Sequence, residues 1–126
     1  MADERTPNHR GHASLGALAS RFVDVESLPW QPTRFPGVEI KLLVENPQTG
    51  EHTSLTRMAP GAVLPNHEHV ALEQSFVLEG SLVDDQGVVT AGNFVWRPGG
   101  SVHTAHAPDG CLVLGIFKKP NRFLDE

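Results

Sequence analysis

Between Val38 and Glu45 the chain reads VEIKLLVE, in which Val38, Ile40, Leu42 and Val44 alternate with Glu39, Lys41, Leu43 and Glu45. A two-residue period with one largely charged face predicts a strand that lays its apolar side on a core. NPQTG then supplies a turn, and EHTSLTRM, rich in threonine and apolar residues, predicts the returning partner of a hairpin. Further strand segments are expected over residues 74–78, 81–84, 88–90, 93–96, 102–105 and 111–118, each bounded by Gly, Pro or Asp. Upstream the pattern changes. Residues 1–13 are polar, carry His9 and His12 and lack any period, which predicts a disordered N-terminal tail. The next piece passes from a short helical turn into an extended segment at 22–25 and a loop with prolines at 29, 32 and 36, a density that excludes a helix there. No stretch after Pro29 supports a helix. Many short strands separated by turn residues predict one all-β domain over residues 14–126, a mostly antiparallel sandwich or barrel.

A chain of 126 residues is long enough to close one hydrophobic core and too short for two. Ten basic against fifteen acidic residues give a net charge of -5, and the longest basic run is Lys118-Lys119. That balance argues against nucleic acid or anionic lipid as a partner. MADERTPNHRGH has no apolar stretch of the kind a signal peptide needs, and no later run approaches a membrane span, so a cytoplasmic location is expected. Cys111 is the only cysteine and lies within CLVLGIF, which marks it as a small core residue.

Two segments carry chemistry. In PNHEHVALEQ, His67 and His69 stand one residue apart and Glu73 follows four residues later. Alternate strand positions share a face, so the two imidazoles point the same way, joined by Glu73 if the strand geometry carries on or an irregular turn restores it. Imidazole nitrogen and carboxylate oxygen suit Fe, Zn, Ni, Cu or Mn, and burying them without a cation would leave polar groups unpaired. The alternative is a solvated HEH loop with Glu73 as a surface charge. In GNFVWRPGGSVHTAHA, His103 follows a Pro-Gly-Gly turn at the start of another strand. By parity His106 faces the other way, as a surface residue or a support behind the ligands. No Ser-His-Asp arrangement, phosphate-cradling glycine loop or nucleotide fingerprint is present.

These motifs resemble those of the cupin superfamily. Its first, Gly, five residues, His-x-His, three or four residues, Glu, six residues, Gly, is met by Gly61, His67, His69, Glu73 and Gly80. Its second, Gly, five residues, Pro-x-Gly, two residues, His, three residues, Asn, is met by Gly92, Pro98, Gly100 and His103, departing only at Ala107. The resemblance implies a double-stranded β-helix, the cupin jelly roll, with His67, His69, Glu73 and His103 around one divalent metal ion. Gly80 and Gly92 fall where strands end and positive backbone angles are needed. PWQPTRFPGVEIKLL, NPQTGEHTSLTRMAPG, EQSFVLEGSL, FVWRPGGSVH and KKPNRF further resemble the ChrR-type single-domain cupins, a group similar to enzymes that cleave β-diketones or hydroxyaryl ketones with iron and dioxygen. The anti-sigma member carries an added zinc domain, for which this chain offers no cysteine-histidine cluster, so sigma binding is not expected.

Two functional classes follow from the resemblance. One is an Fe(II)-dependent dioxygenase acting on a β-dicarbonyl or related small ketone. The other is a zinc-binding, ChrR-like sensor, or a small-molecule-binding cupin without catalysis. Fe(II) suits the first, with Zn, Ni or Mn as other occupants, and Glu73 separates the two because a fourth ligand would fill a tetrahedral zinc site. Arg57, Phe76, Phe94 and Trp96 are candidates for the wall of a substrate pocket, with Met58 and Arg97 beside them. A homodimer is expected, formed by the segment at 22–25 adding to a neighbouring sheet edge.

Overall fold

The computed structural model describes residues 4–124. Ten strands follow in chain order: β1 (Gln31–Pro32), β2 (Val38–Glu45), β3 (His52–Met58), β4 (Ala62–Glu68), β5 (Glu73–Val83), β6 (Val88–Thr90), β7 (Phe94–Arg97), β8 (Val102–Ala107), β9 (Cys111–Phe117) and β10 (Arg122–Phe123). The only helical pieces among the described residues are two 3₁₀ turns, His12–Ser14 and Val25–Ser27. No helix is long and apolar enough to cross a membrane.

Every pairing is antiparallel. One face of the jelly roll runs β1-β2-β3-β9-β5, with β7 on the other side of β5; the second runs β10-β4-β8-β5, with β6 alongside. The strand β5 belongs to both. Its first half pairs with β7 and β9, a bulge falls between Val77 and Glu79, and beyond Gly80 it pairs with β6 and β8. A strand that changes sheets needs such a corner. The two segments expected at 74–78 and 81–84 are therefore one strand, and Gly80 is its corner rather than a strand end.

Inward residues of both faces meet in a core of Val38, Met58, Val77, Cys111 and Val113 from the first and Ala62, Leu82, Val89, Ala105 and Ala107 from the second. This apolar core fills one end of the barrel. The other end is polar inside, where Ser54, His67, His69, Glu73, Ser75 and His103 are all buried.

The alternation read in VEIKLLVE holds at Val38 and then gives way. A register shift lies between Leu42 and Val44, Val44 is exposed, and Lys41 is buried. The charged face is not left to solvent because the preceding segment folds over it: Lys41 Nζ donates to Val25 O at 2.9 Å, and Trp30 stacks on both Lys41 and Arg57. Residues 22–25 do not form an edge strand. The edge of β2 is taken by β1, and Phe22 projects into solvent. Of the polar stretch 1–13, residues 1–3 lie outside the described residues. Arg5 pairs backbone to backbone with Glu45, and the Thr6 hydroxyl donates to Leu43 O at 2.6 Å.

Candidate metal centre

The strands β4 and β8 bring two imidazoles face to face, since His67 and His103 are directly opposed in the ladder. His69 lies just past the end of β4 and is fixed by its backbone: its N–H donates to Ser101 O at 2.8 Å and its carbonyl accepts from Gly100 N–H at 2.6 Å. The Pro98-Gly99-Gly100 turn thus orders His69 and delivers His103. Its Gly100 has φ of 93°, a left-handed conformation that glycine adopts without strain. Ring centroids are 5.0 Å apart for His67–His69 and 4.6 Å for each of the other two pairs. One ring nitrogen from each of the three falls within 4.8 Å of the others.

Each imidazole is oriented through Nδ1. His67 Nδ1 donates to Pro65 O at 2.7 Å, His69 Nδ1 to the carbonyl and hydroxyl of Ser101, and His103 Nδ1 to Asp84 Oδ2 at 2.7 Å. A carbonyl or carboxylate can only accept, so the proton sits on Nδ1 and Nε2 keeps its lone pair. Burial lowers the pKa of all three, that of His69 to about 4, so each is neutral at neutral pH. His69 Nε2 is buried with no hydrogen-bond partner. Three converging, desolvated lone pairs repel one another unless an electrophile lies between them, and a divalent cation fits that requirement.

Glu73 begins β5 facing inward, with Oε1 3.5 Å from His69 Nε2. The Ser75 hydroxyl donates to its Oε2 and the Asn121 amide to its Oε1, each at 3.2 Å. The carboxylate thus stands beside His69 but outside the group of three nitrogens that converge, and it is tied to two protein donors.

Asp84 was legible in the sequence only as a strand end. Its Oδ1 accepts from the backbone N–H groups of Gln86 and Gly87, and its Oδ2 from His103 and, at 2.6 Å, from Arg97. Burial by itself raises the carboxyl pKa, yet the donors from His103, the turn backbone and Arg97 outweigh it and hold the group at about 2. Asp84 is therefore a fixed anion behind His103, of the kind that sets a metal ligand's tautomer and basicity. Asp84→Asn should weaken metal affinity about 10- to 100-fold, measured by competition with a chelator of known affinity. An unchanged affinity would remove Asp84 from the centre.

Of the remaining candidates Arg57, Phe76 and Phe94 stand apart from the histidines, while Trp96 borders the cavity beside them. Phe76, Phe94 and Trp96 point outward, because in β5 the inward parity belongs to Glu73, Ser75 and Val77, and the β7 partners follow it. Trp96 reaches the rim of a cavity of about 80 Å³ beside His69, Arg97 and His103; Phe94 borders a neighbouring one of about 340 Å³; Phe76 borders neither. Arg57 lies on the outer face, paired with Glu39 at 2.7 Å and opposite Leu112, five positions along β9 from the Phe117 that opposes Glu73. At about 3.3 Å per residue that is some 17 Å from the centre. His106 is exposed, as parity requires. Arg97 does face inward, and its Nε is buried without a partner. Phe123, on β10, packs on His67 at 5.1 Å and on Phe35. Nothing in its local pattern marked it for the site.

A jelly roll with three converging imidazoles inside one end defines a cupin with a candidate three-histidine metal centre. The description of the ChrR cupin-like domain matches residues 19–120, and the chain belongs to that family. No curated protein matches it. Among solved structures it is similar to a candidate acetylacetone dioxygenase from Methylibium petroleiphilum, with 20% identity, a TM-score of 0.78 and coverage of 88% of this chain and 85% of that one. An acetylacetone dioxygenase from Acinetobacter johnsonii gives 20% identity and a TM-score of 0.76 over 89% and 83%. The complex of Rhodobacter sphaeroides SigE with the anti-sigma ChrR gives 24% and 0.63 over 74% of this chain and 51% of that one.

Proposed function

We propose that the protein is an Fe(II)-dependent dioxygenase that cleaves a β-dicarbonyl or related small ketone. The observation that carries this reading is the set of three neutral imidazoles, each oriented through Nδ1 and each with Nε2 free. His67, His69 and His103 would hold the ion, which when bound supplies Lewis acidity to an enolised substrate and electrons to dioxygen. Because both oxygen atoms enter the products as a carbon–carbon bond breaks, no further reductant is needed. Three protein ligands leave positions for a chelating substrate, and the buried site keeps competing water out. Arg97 offers its unpartnered Nε–H beside His69 and His103, where an anionic substrate oxygen would find a donor. The adjoining cavity of about 80 Å³ has room for on the order of five waters, which suits a small ketone over an extended ring system.

Glu73 supports a second reading. With its Oε1 3.5 Å from His69 Nε2, it could complete a four-ligand zinc site, leaving a sensing or binding role without chemistry. Iron loaded under anaerobic conditions and mixed with acetylacetone should give a visible charge-transfer band that decays as oxygen is admitted, with matching oxygen uptake. Glu73→Gln should keep or raise that uptake if the carboxylate only crowds the ion. Neither band nor uptake across a panel of diketones and hydroxyaryl ketones would leave the zinc reading in its place.

A further inference from the structure

A cavity of about 790 Å³ opens at the apolar end of the barrel, and none of the three histidines lines it. Two rows of the ladder form its base. Val38, Met58 and Cys111 stand side by side across β2, β3 and β9 and turn inward, all three buried. One position along, Glu39, Arg57, Leu112 and Glu79 form the neighbouring row across β2, β3, β9 and β5. Phe35, Pro60 and Asp109 wall the space from the adjoining loops, and Trp30 borders it beside Arg57. A concave space of this volume falls within the range of about 300–1,000 Å³ of small-molecule sites, and its floor reaches the core.

We propose that this cleft is a second ligand site, separate from the histidines, that takes a small aromatic molecule carrying a positive charge, such as an arylalkylamine. Apolar contact comes from Val38, Met58 and Leu112, and Trp30 and Phe35 offer ring faces to an aromatic ring. Charge selects the sign of the polar group. Three of the lining residues are acidic and one is basic, and that one is spent: Arg57 pairs with Glu39 at 2.7 Å and lies over the Trp30 ring at 4.2 Å. Glu79 and Asp109 have no hydrogen-bond or ion-pair partner among the described residues. An anionic ligand would meet two uncompensated carboxylates, and a neutral one would leave them as they are. A cation placed between an apolar floor and these carboxylates satisfies both parts of the lining. The inference goes beyond the proposed chemistry and stands whatever ion the histidines hold.

Phenylbutylamine, phenylbutanol and phenylbutyrate share one apolar body and differ in charge, so calorimetric titration with each separates the two contributions. A dissociation constant on the order of 1 mM or below is expected for the amine, given the size of the probe. A partly exposed ion pair adds only a few-fold in affinity, so the two carboxylates together should favour the amine over the alcohol by about tenfold, with the butyrate weakest. Glu79→Gln combined with Asp109→Asn should remove that preference and leave the alcohol's affinity and the metal content unchanged, since both side chains are exposed. In a Trp96→Phe background Trp30 is the sole tryptophan, and its emission should follow the calorimetric curve. No titration by any of the three probes overturns the proposal, as does equal affinity for amine and butyrate. A preference for the amine that survives the double substitution overturns it too. Binding that shifts the emission of Trp96 alone, in a Trp30→Phe background, would place the probe on another face. Binding that appears only when dilution separates copies of the chain would show a second copy to be the cleft's occupant.

Discussion

His67→Ala should leave the purified protein without its metal ion, falling from one equivalent per chain to background by elemental analysis. The imidazole is 2% exposed, directly opposite His103, with Nδ1 committed to Pro65 O and Nε2 in the cluster. Loss of a group that merely orients a ligand costs about 10- to 100-fold in affinity, and removing a ligand outright costs more. The fold should survive, because the apolar core lies at the other end of the barrel and a single buried truncation costs about 1–3 kcal/mol. His106→Ala is the control: its side chain is exposed on the opposite parity, and its metal content should equal that of the wild type. Unchanged stoichiometry in His67→Ala, with circular dichroism showing a folded protein, would reject the three-histidine centre.

Gly80→Ala should be the most damaging small substitution in the chain. Gly80 has φ of 73°, where a Cβ costs about 1–2 kcal/mol, and an added Cβ would stand 2.0 Å from Gly110 O, a backbone atom that cannot swing aside. The residue is the corner at which β5 passes from one sheet to the other, so relief of that overlap would have to displace the β5–β9 pairing at Cys111. The expected loss is on the order of 3 kcal/mol or more, a fall in thermal midpoint of roughly 10 °C for a domain of this size. Gly92→Ala separates the two causes. Its φ is 84° but nothing lies within 4 Å of the added atom, so only the backbone cost should appear. Equal shifts for the two variants would show that the contact with Gly110 does not matter.

The strand content was largely legible because period-two alternation and punctuation by Gly, Pro and Asp are local properties. Residues 88–90 and 111–117 appear as strands close to where that pattern put them. β4 is the instructive exception. AVLPNHE has a proline and an asparagine at its centre and shows little alternation, and the structure accommodates them with a register shift between Leu64 and His67 against β8. The irregular turn allowed for between His69 and Glu73 is present as the gap between β4 and β5. Of the aromatic candidates Trp96 borders the cavity beside the histidines while Phe76 and Phe94 do not, a division the sequence could not make for a related reason. Sequence parity puts Phe94 and Trp96 on one face of their strand, but it says neither which face is the interior nor that Phe76, on another strand, lies beside them.

What the sequence determined by itself was the ligand chemistry: His-x-His and a histidine after a Pro-x-Gly turn fix donor types and put His103 and His106 on opposite sides of a strand. What only the tertiary structure decided was everything contributed from a distance. Asp84 reaches His103 across 19 residues, Asn121 reaches Glu73 across 48, and Trp30 folds back over Lys41 and Arg57. Each of these depends on the register with which separate strands pair and on which segment lies over which face. Strand alternation constrains neither, since a side chain's period along its own strand carries no information about what is brought against it.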